Sequence, residues 1–305
     1  MNKNLKISLL VFFILGAFIL LTGLSSEKED QGVIKIKADN FYIPKKLSFA
    51  GEIVPIHRID IREQLERELI VNNFFHSQTI QLLKKKDRYF KIIEPILKKN
   101  NIPDDFKYLA VAESGLIPTI MSPAGAVGLW QFLRSTGKEN GLIINKFVDE
   151  RYNIEKSTEA ACKFLNKLYK DLKSWSLVSA AYNSGKRNVL NQIKRQKNSY
   201  YYDMLWNNET GRYLFRIVAL KVILNNPKKY GFYIKKKYPI IKTKYIKVST
   251  PIDTLANFAH KHKVSYKTLK NFNPWLRQSN LENKKKNTFL IKIPVNPKDF
   301  CTTTY

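Results

Sequence analysis

Three features of the sequence predict a mainly α chain: helices over most of its length and a small β-α-α-β unit near its C-terminal end. Between residues 61 and 232 apolar residues recur at spacings of three and four, and the interruptions are short and rich in Gly, Pro and Asn. After Gly231 the sequence turns basic and β-branched, and two strand-like runs then flank two short helical ones. Hydrophobic residues make up 44% of the 305, enough to bury a core.

The elements follow in order. Lys3 and Lys6 precede an uncharged apolar run from Ile7 to Leu24, which Ser25, Ser26 and charged residues follow. Residues 1–26 therefore read as a secretory signal peptide or an uncleaved signal anchor. The run is near the minimum length for a spanning helix, so residues 7–24 could associate with a membrane. The leading lysines place the N-terminus in the cytoplasm and the rest outside, in the periplasm or cell envelope. No cysteine follows the run, which argues against lipoprotein processing. Residues 27–60, with Pro44, Gly51 and Pro55, read as a linker and extended lead-in.

From Ile61 to Asn100 the pattern is helical, through Leu65, Leu69, Ile80, Leu83, Phe90, Ile93 and Leu97. Pro103-Asp104-Asp105 is a helix start, and Gly115 should stop that helix. Residues 117–128 form a loop. A short helix is expected from near Leu129, with Thr136 and Glu139 as a weak capping box. Further helices are expected over Ser157–Leu172, Trp175–Tyr182 and Arg212–Leu224. Residues 61–232 are read as one all-helical domain and 233–244 as a linker. Residues 245–295 form the second unit, with strands at Tyr245–Val248 and Phe289–Ile293 and helices at Thr254–His262 and Tyr266–Phe272. Residues 296–305 are a tail.

Lys and Arg number 53 against 25 Asp and Glu, a net charge of +28. This suits an anionic partner: nucleic acid, acidic lipid or a carboxylate-bearing cell wall. The basic residues are spread along the chain, so charge alone names none of them. With an export signal and no nucleic-acid motif, a nucleic-acid partner is not expected. Cys162 and Cys301 lie far apart without metal-ligand spacing, and a bridge between them is disfavoured. His57, His76, His260 and His262 form no HExxH pattern. Neither a metal nor another cofactor is expected.

Glu113 is the residue that local chemistry singles out. It lies in LAVAESG, an apolar stretch at a helix C-terminus. Apolar surroundings and the negative end of the helix dipole both disfavour the carboxylate and raise its pKa. A carboxylic acid partly protonated near neutral pH is what a general acid requires. Read by itself, the segment fits a solvent-exposed helix-terminal glutamate better. No second acid is expected in a comparable apolar setting. Asp149 and Glu150 are the nearest alternatives.

The segments around Glu113 change that balance. SGLIPTIMSPAGAVGLWQF, DERYNIEKSTEAA, AAYNSG and ETGRYLFRIVALKVILNNPKKYGF follow in order. Together they resemble the soluble-lytic-transglycosylase-like branch of the lysozyme superfamily, and within it the membrane-bound lytic murein transglycosylase D group. The resemblance implies a lysozyme-like helical catalytic domain acting on peptidoglycan glycan strands as a monomer. It implies that Glu113 protonates the bond between N-acetylmuramic acid and N-acetylglucosamine. Glu113 then takes the proton of the muramyl 6-hydroxyl, giving a 1,6-anhydromuramyl product. It also implies that Ser114 orients the acid, that Ser122 and Gln131 face the sugar groove, that the Tyr182 hydroxyl approaches Glu113, and that Asn183 helps form the groove. Trp130 could be groove wall or core. Asp149-x-Arg151-x-Asn153 resembles a structural turn before a helix.

The C-terminal unit resembles a LysM module, through Tyr245, Val248, Asp253-Thr254-Leu255, Ala259, Val264-Ser265, Leu269, Asn273-Pro274 and Leu290-x-x-Ile293-Pro294. It departs from the pattern at Ile252 and near Asn287, where glycines are usual. It is read as a separate module on a basic linker. A hydrolytic muramidase and a non-catalytic wall-binding protein are the alternative functions.

Overall fold

A computed structural model describes residues 42–300. Expectations for the N-terminal apolar run and for Cys301 lie outside these residues. Among the described residues no helix is long and apolar enough to cross a membrane.

The described chain opens with a hairpin of two short strands, β1 (Ser48–Phe49) and β2 (Glu52–Ile53). Eight helices follow: α1 (Ile59–Phe74), α2 (His76–Lys99), α3 (Phe106–Ser114), α4 (Arg134–Glu139), α5 (Ile154–Leu172), α6 (Trp175–Ser184), α7 (Lys186–Gln196) and α8 (Asn208–Asn225). The lead-in is more than a linker: Phe49 and Val54 are buried in the core of the helical domain. Glu52 accepts from the backbone N–H groups of Trp175 (2.5 Å) and Ser176 (2.9 Å), so a residue of the hairpin caps α6.

Helix α8 is the centre of the domain. It is apolar around most of its circumference, with Tyr213, Leu214, Ile217, Val218 and Leu220 among its buried residues. A helix of that kind must be enclosed by others, and α1, α3 and α6 pack against it. Asn207 caps its first turn by accepting from the Thr210 N–H at 2.8 Å.

Two expectations for this domain need correction. The short helix begins at Arg134, not near Leu129, and Thr136 lies inside it, so the expected capping box does not form. The delay has a backbone cause: Gly128 and Gln131 both have positive φ, which no continuing helix allows. Helix α7 was not predicted, because it is strongly polar and Val189 is its one buried residue.

The C-terminal unit consists of β3 (Thr243–Val248), α9 (Leu255–Lys261), α10 (Tyr266–Phe272) and β4 (Phe289–Pro294). The strands pair antiparallel, with Tyr245 opposite Lys292 and Val248 opposite Phe289. Thr254 and Ser265 cap the two helices through their hydroxyls. Where the turn glycine is absent near Asn287, Lys286 takes the left-handed conformation. The Asn283 side chain then closes the turn by accepting from the Asn287 N–H (2.9 Å) and donating to its carbonyl (2.6 Å).

This unit is docked on the helical domain. Val148 forms a β-bridge with Leu276, the Asp149 N–H donates to the Trp275 carbonyl (2.9 Å), and the Arg277 N–H donates to the Phe147 carbonyl (2.8 Å). Val127, Val148 and Tyr152 are buried in one cluster with Leu276, Ile291 and Ile293. The connecting segment is tied down too, by the Tyr238 N–H on the Lys84 carbonyl (2.8 Å) and an ion pair between Lys237 and Asp87 (2.7 Å).

Candidate active site

Glu113 is the penultimate residue of α3, a helix buried from Phe106 to Val111. Gly115 ends that helix in the left-handed conformation (φ 55°). The Glu113 carboxyl is largely enclosed, and burial raises its pKa from the ordinary carboxylate value. A hydrogen bond from the Tyr213 hydroxyl and the charge of Arg216 oppose that rise, and Glu209 adds to it. The Tyr213 hydroxyl donates to Oε1 of Glu113. Tyr213 is itself buried on α8, and burial and the Glu113 charge push its pKa well above the usual tyrosine value, so it stays a donor.

The expected site residues divide by what they touch. Tyr182, at the end of α6, is enclosed near Glu113, whose charge helps raise its pKa after burial. Its hydroxyl nevertheless donates to the Trp130 carbonyl at 2.6 Å, not to the acid. The tyrosine bonded to Glu113 is therefore Tyr213, not Tyr182. Tyr213 lies within the ETGRYLFRI motif, which by itself assigns it no role. The available signal was a phenol hydroxyl among apolar residues of a buried helix, which needs a partner.

Ser114 is buried, and its Oγ donates to the Ala110 carbonyl (2.8 Å) and accepts from the Leu116 N–H (3.2 Å). It shapes the backbone turn after the acid. Ser122 is half-buried, and its Oγ accepts from the Ala126 N–H at 3.1 Å, closing the loop. The Gln131 amide donates to the Gly128 carbonyl at 2.8 Å. Asn183 accepts from the Thr210 hydroxyl at 3.1 Å, joining the end of α6 to the start of α8. Trp130 is core: it is fully buried, with its indole N–H on the Thr158 hydroxyl at 2.9 Å.

One buried ion pair holds the 117–132 loop. Arg151 reaches both oxygens of Asp149 (3.0 and 2.7 Å) and the carbonyls of Gly125 (3.1 Å) and Phe132 (3.0 Å). A Cβ on Gly128 (φ 80°) would lie 2.1 Å from the Arg151 carbonyl oxygen, so glycine is required there.

The expectation of no second acid in an apolar setting is not met. Glu150 is buried, and burial raises its pKa; Glu68 is more deeply buried still. Both are otherwise engaged. Glu150 accepts from the Ile143 N–H at 2.7 Å, and Glu68 pairs with Arg212 at 2.7 Å. Among the described residues no group of three or more His, Cys, Asp or Glu could hold a metal ion. Cys162 is buried and its thiol is pushed up to about 12.

Two family models match parts of the chain. Residues 90–205 match the transglycosylase SLT domain, and residues 244–297 match the soluble lytic transglycosylase C-terminal LysM-like domain. The chain is 31% identical over 226 residues to membrane-bound lytic murein transglycosylase D of Escherichia coli strain K12, covering 72% of this chain and 49% of that protein. A putative tributyltin chloride resistance protein of Alteromonas sp. is 30% identical over 115 residues, covering 37% of this chain and 56% of its own. The chain thus spans about half the length of the curated relatives it matches. Among solved structures, lytic transglycosylase Slt from Pseudomonas aeruginosa aligns with a TM-score of 0.37 at 18% identity, covering 50% of this chain and 25% of that one. The 70 kDa soluble lytic transglycosylase from Escherichia coli aligns with a TM-score of 0.40 at 18% identity, covering 48% and 26%.

Proposed function

We propose that this chain, which carries a transglycosylase SLT domain followed by a soluble lytic transglycosylase C-terminal LysM-like domain, is a peptidoglycan lytic transglycosylase with Glu113 as its single catalytic acid/base. The observation that carries the reading is a largely enclosed glutamate of raised pKa, bonded at one oxygen to a buried tyrosine hydroxyl.

The chemistry follows from that arrangement. Tyr213 donates to Oε1, which leaves Oε2 to carry the proton that faces substrate. Glu113 gives this proton to the glycosidic oxygen as the bond from muramyl C1 breaks. The developing positive charge at C1 is captured by the muramyl 6-hydroxyl. The Glu113 carboxylate takes the hydroxyl proton, which restores the acid and leaves a 1,6-anhydro ring. No water is consumed. The usual hydrolytic route employs a second carboxylate, as base toward water or as nucleophile. Glu150 and Asp149 are committed to the Ile143 N–H and to Arg151, which favours the route with one acid.

The reading includes export to the periplasm or cell envelope through residues 1–26, membrane association through residues 7–24, and action as a monomer without metal or cofactor. Ser114, Ser122, Gln131, Tyr182 and Asn183 would shape the groove. Mass spectrometry of the muropeptides released from purified sacculi tests the reaction. Anhydromuramyl ends are expected, and reducing muramic acid ends would identify a hydrolase instead.

A further inference from the structure

A cavity of about 930 Å³ opens between the helical domain and the C-terminal unit, and Glu113 does not line it. Its floor is the outer face of the β3–β4 sheet. Alternation along the strands puts Tyr245 and Lys292, which are opposite each other, on that face, while Ile291 and Ile293 point into the core of the unit. One wall comes from α2 and the other from α10.

Five cations line the cavity: Arg88, Lys91, Lys242, Lys267 and Lys292. The one carboxylate among its lining residues, Glu155, is already held by Lys292 and by the Tyr245 hydroxyl (2.9 Å). Lys91, Lys242 and Lys267 are exposed, and no described carboxylate lies within ion-pair distance of them. The chain is basic throughout, so scattered lysines would mean little. Here they converge on a concave space with an amide, Asn271, and aromatic walls such as Tyr89 and Trp275. Such a space combines charge focusing with the mixed lining of a ligand site.

We propose that this cleft binds a short peptide carrying several carboxylates. Within the reading above, on which the biological identity of the ligand rests, that peptide is the acidic peptide side chain of the wall polymer. The cations pair with its carboxylates, Asn271 serves its amide backbone, and the aromatic walls cover its apolar groups. Pro118, at the start of the loop after Glu113, also lines the cleft, so bound peptide lies next to the segment that shapes the active site.

The test titrates the full chain by calorimetry with a synthetic tetrapeptide bearing several free carboxylates. Parallel titrations use its fully amidated form, an N-acetylglucosamine tetramer and inorganic phosphate. The comparison protein is Lys242→Ala combined with Lys267→Ala, two exposed positions whose loss leaves the core intact. The tetrapeptide is expected to bind the wild type. Affinity should fall about tenfold in the double variant, and by a similar factor on amidation, as loss of two partly exposed charge contacts gives. Binding of the N-acetylglucosamine tetramer should be unchanged. No tetrapeptide binding, equal affinity in the variant, or phosphate held as tightly as the peptide would each overturn the proposal. Anhydromuramyl release from sacculi is scored separately on the wild type. Its absence would refute the proposed reaction and leave the titration standing as a test of the cleft.

Discussion

The Tyr213 hydroxyl donates to the Glu113 carboxyl across 100 residues of sequence, joining the end of α3 to the middle of α8. The bond occupies Oε1 of Glu113 and leaves Oε2 without it. It also favours the ionised acid, against the burial that favours the neutral one.

Glu113→Gln is expected to abolish anhydromuropeptide release while keeping the fold. The amide can neither give nor take the proton, and one such transfer typically contributes ~10²–10⁴-fold. The stability difference has a definite sign. The folded-state pKa is raised, so wild type loses stability as pH rises from the ordinary carboxylate range through the folded pKa. The Gln variant lacks that loss. Its melting temperature should equal wild type in acid and match or exceed it above the folded pKa. Thermal unfolding across pH, alongside turnover on sacculi, measures both effects.

Tyr213→Phe removes the donor and leaves the ring. Without that bond the Glu113 pKa should rise further, so the basic limb of the pH–rate profile should move to higher pH. Turnover at the optimum should fall about tenfold, the scale of one hydrogen bond to a charged group. A profile superimposable on wild type would show that Tyr213 does not act on the acid.

Asp149→Asn leaves the Arg151 guanidinium buried without its anion. Breaking a buried pair from one side costs about 3–5 kcal/mol. Since Arg151 also holds the Gly125 and Phe132 carbonyls, activity should fall at temperatures where the variant is still folded. Chemical denaturation and turnover on one preparation separate the two losses. If Asp149 were the acid in place of Glu113, this variant would be inactive with a native loop.

Removal of residues 240–305 is expected to weaken binding to sacculi, as loss of a tethered module would. The docked arrangement adds a second effect, because the cut uncovers Val127, Val148 and Tyr152. Burial of side chains of that size contributes about 1.5–3 kcal/mol each. The melting temperature should therefore drop by roughly 10–35 °C. Turnover on soluble peptide-free strands should drop as well, because Val127 lies in the 117–132 loop that follows Glu113. Unaltered melting would mean that the unit is only a tether.

Much of this was legible in the sequence because it is local. The end of α3 at Gly115, the extent of α10 and the pairing of two short strands around two helices follow from periodicity and caps read within a few residues. The enclosure of Glu113 agrees with its apolar neighbours, although that segment read alone fits an exposed glutamate better. The rest depends on pairs far apart in the chain. Glu52 capping α6, Tyr213 meeting Glu113, and Trp275 meeting Asp149 have no local signature. Tyr182 shows the same limit from the other side: its motif located it near the acid, but the Trp130 carbonyl took its hydroxyl. Helix α7 was missed because so little of it is buried.

The central position of α8 bears on how the molecule is born. A chain that emerges from its N-terminus, from a ribosome or through a pore, presents α1, α3 and α6 before the helix they all pack on exists. The faces they turn to α8 stay uncovered until Asn225 is out, and Glu113 has no tyrosine donor until Tyr213 is out. The acid therefore gains its partner only when the last helix of the domain closes the structure.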